Sequence, residues 1–138
     1  MLVLVLAGCI NEDRRLYEVE LRGEVTVADG PVTGAVHLEL HHAFTGEGPL
    51  RTPLGRIDAT ELAGIGAAEW TTLVPMGEGE GLVLYGWLDR DGDGVLCGLG
   101  AAPEPAGIAA LRFPAHTIDF SLSLDSDCAG ASALAPTD

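Results

Sequence analysis

The feature that most constrains this chain is a period-two alternation that keeps recurring between turn residues. Over 16–27, Val19, Leu21, Val25 and Val27 fall on one side, with Gly23 among them; Glu18, Glu20, Arg22, Glu24 and Thr26 fall on the other. Successive side chains of an extended strand point to opposite faces, so this is a strand with one buried face. Asp29-Gly30-Pro31 is a turn signal. Alternation resumes over 35–44, where Val36, Leu38 and Leu40 oppose His37, Glu39 and His41. Residues 70–76 and 82–88 are apolar and rich in Val, Thr and aromatics, and read as two more strands. Over 117–124, Ile118, Phe120, Leu122 and Leu124 alternate with Asp119, Ser121 and Ser123. The 19 Gly and 8 Pro punctuate these runs. Residues 60–68 read as a short helix weakened by Gly64 and Gly66. Residues 98–110 read as a long surface loop, and 129–138 as a disordered tail. The expected fold is all-β: an antiparallel β-sandwich of about seven strands over 16–128, prealbumin-like or Ig-like.

A chain of 138 residues is enough for one such domain and its core. Asp and Glu number 21 against 7 basic residues, all of them Arg, for a net charge of −14. Nucleic acids and anionic membrane surfaces both attract basic patches, so neither is expected as a partner of the body of the domain.

The first nine residues, Met1 to Cys9, are apolar and uncharged, then give way abruptly to Asn11-Glu12-Asp13-Arg14-Arg15. A bilayer span needs about 20 apolar residues, so this is no membrane helix. An apolar stretch ending in small residues has the form of a secretory leader. Leu6-Ala7-Gly8-Cys9 resembles the lipobox of bacterial lipoproteins. The resemblance implies that 1–8 is a signal peptide cleaved before Cys9, that Cys9 carries lipid, and that 9–15 is a tether. Ile10, rather than Asp, after the Cys implies sorting to the outer membrane in a Gram-negative source. A basic n-region is missing, so the start codon is expected upstream. The alternative is a first strand at Leu2–Leu6.

Three cysteines then resolve into Cys9 for lipid and a remaining pair, Cys97 and Cys128. In an oxidising compartment such a pair reads as a disulfide; the alternative is two unrelated thiols.

The stretch Gly23 to Leu38 is similar to the opening of carboxypeptidase-regulatory-like domains of the transthyretin-like group, through Gly23, Val25, Gly30, Pro31, Val32, Gly34, Ala35 and Val36. Leu54-Gly55-Arg56-Ile57 and Leu82 to Trp87 stand loosely where those domains have a hairpin and a Gly-Tyr strand. The resemblance implies a sandwich used as a non-catalytic spacer or binding unit. Some members of the group are hydroxyisourate hydrolases with a Tyr-Arg-Gly-Ser tail. This chain ends in Ala-Pro-Thr-Asp138, so that activity is not carried over.

Asp89-Arg90-Asp91-Gly92-Asp93-Gly94 is the sharpest chemical signal. Carboxylates at alternate positions followed by Gly wrap around a hard cation, as at positions 1, 3, 5 and 6 of an EF-hand loop. Val95 supplies the backbone carbonyl of position 7, but position 12 is Gly100 and a strand precedes the loop, so it is not an EF-hand. A disulfide between Cys97 and Cys128 would carry Asp125 and Asp127 towards it, completing a calcium site of weak, extracellular type. The competing reading is a solvated Asp/Gly turn. His37, Glu39 and His41 share a strand face and offer zinc ligands for a small metallo-hydrolase, against the simpler reading of a polar outer face. Trp70 and Trp87 offer a sugar-stacking platform, against the simpler reading of core residues. The expected function is a lipid-anchored, extracytoplasmic, non-catalytic binding or structural module of the cell envelope, with an envelope protein or glycan as partner. A calcium-dependent glycan- or protein-binding module is the alternative.

Overall fold

The alternating segments become two sheets packed face to face. A computed structural model describes residues 15–44, 51–76, 80–100 and 102–134. In chain order it contains β1 (Arg15–Val27), β2 (Ala35–Phe44), β3 (Arg51–Leu62), β4 (Gly66–Met76), β5 (Glu80–Asp89), β6 (Pro105–Leu111), β7 (Thr117–Leu124), β8 (Ser126–Asp127) and the short helix α1 (Ala131–Leu134). The expected signal peptide 1–8, the lipidation site Cys9 and the tether up to residue 14 lie outside the described residues, as does the end of the tail from 135. No helix among the described residues is long and apolar enough to cross a membrane.

One sheet has the order β4-β1-β7 and the other β3-β2-β5-β6-β8. All pairs are antiparallel except β1 with β7, which runs parallel from Glu20↔Thr117 to Val27↔Leu124. The fold is therefore the expected all-β sandwich. The inward face of β1 buries Val19, Leu21 and Val25 against Val36, Leu38 and Leu40 of β2, Leu82, Leu84 and Leu88 of β5, and Ile118, Leu122 and Leu124 of β7. Burying each such side chain contributes about 1.5–3 kcal/mol.

Gly23 sits in the middle of that face because Phe120 lies against it. A Cβ at Gly23 would come 2.6 Å from Cγ of the Phe120 ring. With the glycine, Phe120 and Trp70 pack against both halves of the core.

Three segments differ from expectation. Residues 60–68 are not helical: β3 runs to Leu62, a bend follows, and β4 starts at Gly66. Gly66 has φ 127°, where L side chains are rarely found, so the reversal uses the glycine that weakens a helix. Within 98–110, residues from Pro105 onwards form β6. Its small residues answer a close approach: a Cβ at Gly107 would lie 2.9 Å from the Ser123 carbonyl carbon of β7, where the two sheets meet. Of the expected tail, Ala131–Leu134 forms α1, and Ala129, Ala131 and Leu134 pack on Tyr85 and Trp87.

β5 is central, and from Leu82 to Asp89 it is buried throughout. Leu82, Leu84 and Leu88 face the inter-sheet core. Tyr85 and Trp87 face outward into a third, small cluster with Ala106 and Leu96. This outer cluster lies under the loop that leaves β5 and under the chain after β8.

Candidate functional site

β5 delivers its last residue, Asp89, into the sheet end with only 3% of its surface exposed. The chain then curls through Gly92 (φ 72°) and Gly94 (φ 74°), left-handed conformations that Gly adopts without penalty. The curl aims amides back at the carboxylate. Gly92 N–H donates to Asp89 Oδ1 and Gly94 N–H to Oδ2, both at 2.9 Å. Asp93 N–H donates to Asp91 Oδ1 at 3.2 Å, and Val95 N–H to Asp93 Oδ1 at 2.8 Å.

The fourth carboxylate is Glu104, 1% exposed. Its Oε2 accepts from Arg90 N–H and its Oε1 from Cys97 N–H, each at 2.7 Å. Asp89, Asp91, Asp93 and Glu104 each bring one oxygen to within 4.8 Å of all the others. Calcium–oxygen distances of about 2.3–2.6 Å put opposite ligands about 4.6–5.2 Å apart, whereas magnesium at about 2.1 Å allows only about 4.2 Å. A limit of 4.8 Å accommodates either ion, and the all-carboxylate oxygen set is that of a hard cation.

Arg90 does not neutralise this group. Its guanidinium turns away and donates to the carbonyls of Asp29 (2.6 Å), Pro31 (3.0 Å) and Pro103 (2.7 Å). Gly30 makes that approach possible, since a Cβ there would lie 2.8 Å from Arg90 Nη2. Burial pushes the Asp89 carboxyl up. The amides of Gly94 and Gly92, with His37 and Asp91, outweigh it and hold Asp89 below the ordinary carboxylate range. For Asp91 the Asp93 amide acts downward. Desolvation and the crowding of Asp93 and Asp89 prevail and raise it.

Cys97 and Cys128 are disulfide-bonded, with Cα atoms 5.5 Å apart. Both have positive φ, 49° and 56°. The pair holds Glu104 from two sides: Cys97 N–H bonds its carboxylate, and Cys128 N–H bonds its carbonyl at 2.9 Å. The disulfide thus brings a carboxylate to the loop, but it is Glu104 and not the expected Asp125 or Asp127. Asp125 accepts from Ser126 Oγ at 3.2 Å, and Asp127 pairs with Pro105 in β8; both are exposed and outside the group. Glu104 lies between Pro103 and Pro105, and nothing in that local sequence marks its burial.

His37, Glu39 and His41 are not drawn into one ligand set. His37 Nε2 lies 3.2 Å from Asp89 Oδ2, and its ring stacks on Trp87 at 4.3 Å. His41, only 7% exposed, turns to Glu39 Oε2 at 3.1 Å, and Glu39 Oε1 accepts from Arg56 at 3.4 Å. Among the described residues the acidic loop is the one group of three or more potential metal ligands. Trp87 is 8% exposed and Trp70 packs into the inter-sheet core, so neither presents a free face to a sugar. Tyr85 donates to the Ala129 carbonyl at 2.7 Å; burial, with the nearby Glu39 charge, pushes its hydroxyl up to about 12.

Compared with protein-family models, with curated proteins and with solved structures, the chain matches none.

Proposed function

We propose that this chain is a lipid-anchored, extracytoplasmic β-sandwich with a non-catalytic binding or structural role in the cell envelope. The observation that carries this reading is the Cys97–Cys128 disulfide. Structural disulfides persist in oxidising compartments, and their pairing leaves Cys9 as the odd cysteine, at the end of the lipobox-like sequence. The likeness of Gly23–Leu38 to carboxypeptidase-regulatory-like domains supports the same role. The mass of the mature N-terminal peptide tests it. A diacylglyceryl-modified Cys9 as first residue is expected; an unmodified Cys9 inside a longer peptide refutes the anchor.

A second reading is favoured by the acidic group. Two of its carboxylates, Asp89 and Glu104, are at least 97% buried, and all four converge within 4.8 Å. A calcium ion held there would offset their repulsion and stiffen the corner between β5 and β6. With a dissociation constant of 10⁻⁴–10⁻³ M, about 5 mM calcium adds ~1–2 kcal/mol of stability. A calcium titration followed by thermal melting of the oxidised protein measures it; no rise in Tm sinks this reading. Of its possible partners a protein fits better than a glycan, because Trp87 is covered. The metallo-hydrolase reading has no support, since His37 and His41 turn to different carboxylates.

A further inference from the structure

The outer cluster has no share in the inter-sheet core. Among the described residues, neither half of that core draws one from 90–104 or from 128–134. Those two segments instead cover Tyr85 and Trp87, through Leu96 on one side and Ala129, Ala131 and Leu134 on the other. The second segment is lightly held. β8, which leads into it, has two residues, α1 has no buried side chain, and its side-chain tie to β5 is the Tyr85–Ala129 hydrogen bond. The disulfide ties the two segments to each other. Cys128 is an exposed residue and Cys97 is half-buried. Both cysteines occupy left-handed backbone that non-glycine residues adopt at a cost, which the cross-link helps to hold.

We propose that Cys97–Cys128 is a thiol-operated latch: reduction opens a cap formed by 94–100, 102–104 and 128–134, uncovering the Tyr85–Trp87 face while the sandwich stays folded. The reductant is a dithiol. Its thiolate attacks Cys128 Sγ, forming a mixed disulfide and releasing Cys97 as a thiolate, which takes up a proton. The second thiol of the reductant then closes its own disulfide and frees Cys128. Two electrons pass to the protein and the dithiol is oxidised. The inference does not require a bound ion; because Glu104 belongs both to the cap and to the acidic group, the test is run in calcium-free buffer.

Hydrogen exchange on the full chain tests it, before and after dithiothreitol, with the two free thiols counted by mass. Amide exchange in 94–100, 102–104 and 128–134 is expected to speed up at least tenfold on reduction. Exchange in 36–40 and 118–124 is expected to stay the same. Acrylamide quenching of tryptophan fluorescence is expected to rise, and Cys97→Ser/Cys128→Ser is expected to match the reduced protein. Unchanged protection of both cap segments in the fully reduced chain overturns the proposal. So does loss of protection throughout both sheets, or a double variant that fails to fold, since either makes the disulfide a support of the whole domain.

Discussion

Replacing Arg90 tests how the acidic loop is fixed to the rest of the domain. Its guanidinium bridges three carbonyls from two distant stretches: Asp29 and Pro31 in the β1–β2 turn, and Pro103 before β6. Hydrogen bonds from a charged donor are worth about 1.5–3 kcal/mol each when buried. Here the group is partly exposed and the carbonyls can turn to water, so about 1 kcal/mol each is the better figure. Arg90→Ala is then expected to cost about 2–3 kcal/mol. An unfolding entropy of ~2.1 cal/mol/K per residue over roughly 120 residues converts this to a fall in Tm of about 8–12 °C. Arg90→Lys keeps the charge but not the planar fork, so it reaches one or two carbonyls and loses about half as much. Urea denaturation and thermal melting of the three proteins, in calcium-free buffer, read the series. Equal stability for the Lys variant and the parent would show that charge alone matters. A loss under about 0.5 kcal/mol for the Ala variant would show that the three bonds do not clamp the turn to the loop.

Glu104→Gln keeps the volume but removes one of the four converging carboxylates, and is expected to cut the calcium-induced rise in Tm to less than half; calorimetric titration gives the affinity directly. Gly23→Ala drives a methyl group into the Phe120 ring and backbone, and is expected to cost about 3 kcal/mol in urea denaturation, at the upper end of overpacking effects. Asp89 has a folded-state pKa below its unfolded value, so its ionisation stabilises the fold above about pH 4–5, and that stability is lost as pH falls through the depressed value. Melting temperature measured from pH 6 down to 2 is therefore expected to fall less steeply for Asp89→Asn than for the parent; parallel profiles would contradict the assignment.

The alternating strands were legible because one face of each is wet. In β1, β2 and β7, polar and apolar residues separate cleanly, and the structure places their apolar sides in one core. β3 is unmarked in the sequence for a physical reason. It is an edge strand, where Pro53 lacks an N–H but need not donate on the open side, and Gly55 and Arg56 break the pattern. β6 was hidden by its small residues, which the close contact with β7 requires. At the candidate site, Asp89, Asp91 and Asp93 were legible because their spacing is local and the curl that joins them is built from adjacent glycines. Glu104 was not, because its burial depends on a disulfide partner further along the chain and on amides of Arg90 and Cys97. Asp125 and Asp127 lie near Cys128 in sequence but belong to the exposed edge around β8.

The parallel pairing of β1 with β7 has a consequence for how the domain is made. β1 is the middle strand of its sheet, yet one neighbour is β4 and the other begins only at Thr117. β1 therefore completes its pairing only with residues that begin 90 positions after its own last residue, Val27. Pairings this distant in sequence also close slowly, because the loop entropy must be overcome first. Until that pairing closes β1 is an open strand with Val19, Leu21 and Val25 uncovered, and its alternating Glu18, Glu20 and Glu24 repel other chains in the same state. Truncations ending before residue 117 retain all of β1 to β6 but leave that side of β1 unpaired and Val19, Leu21 and Val25 without Ile118 and Leu122, and should aggregate more at high salt, where the repulsion of Glu18, Glu20 and Glu24 is screened.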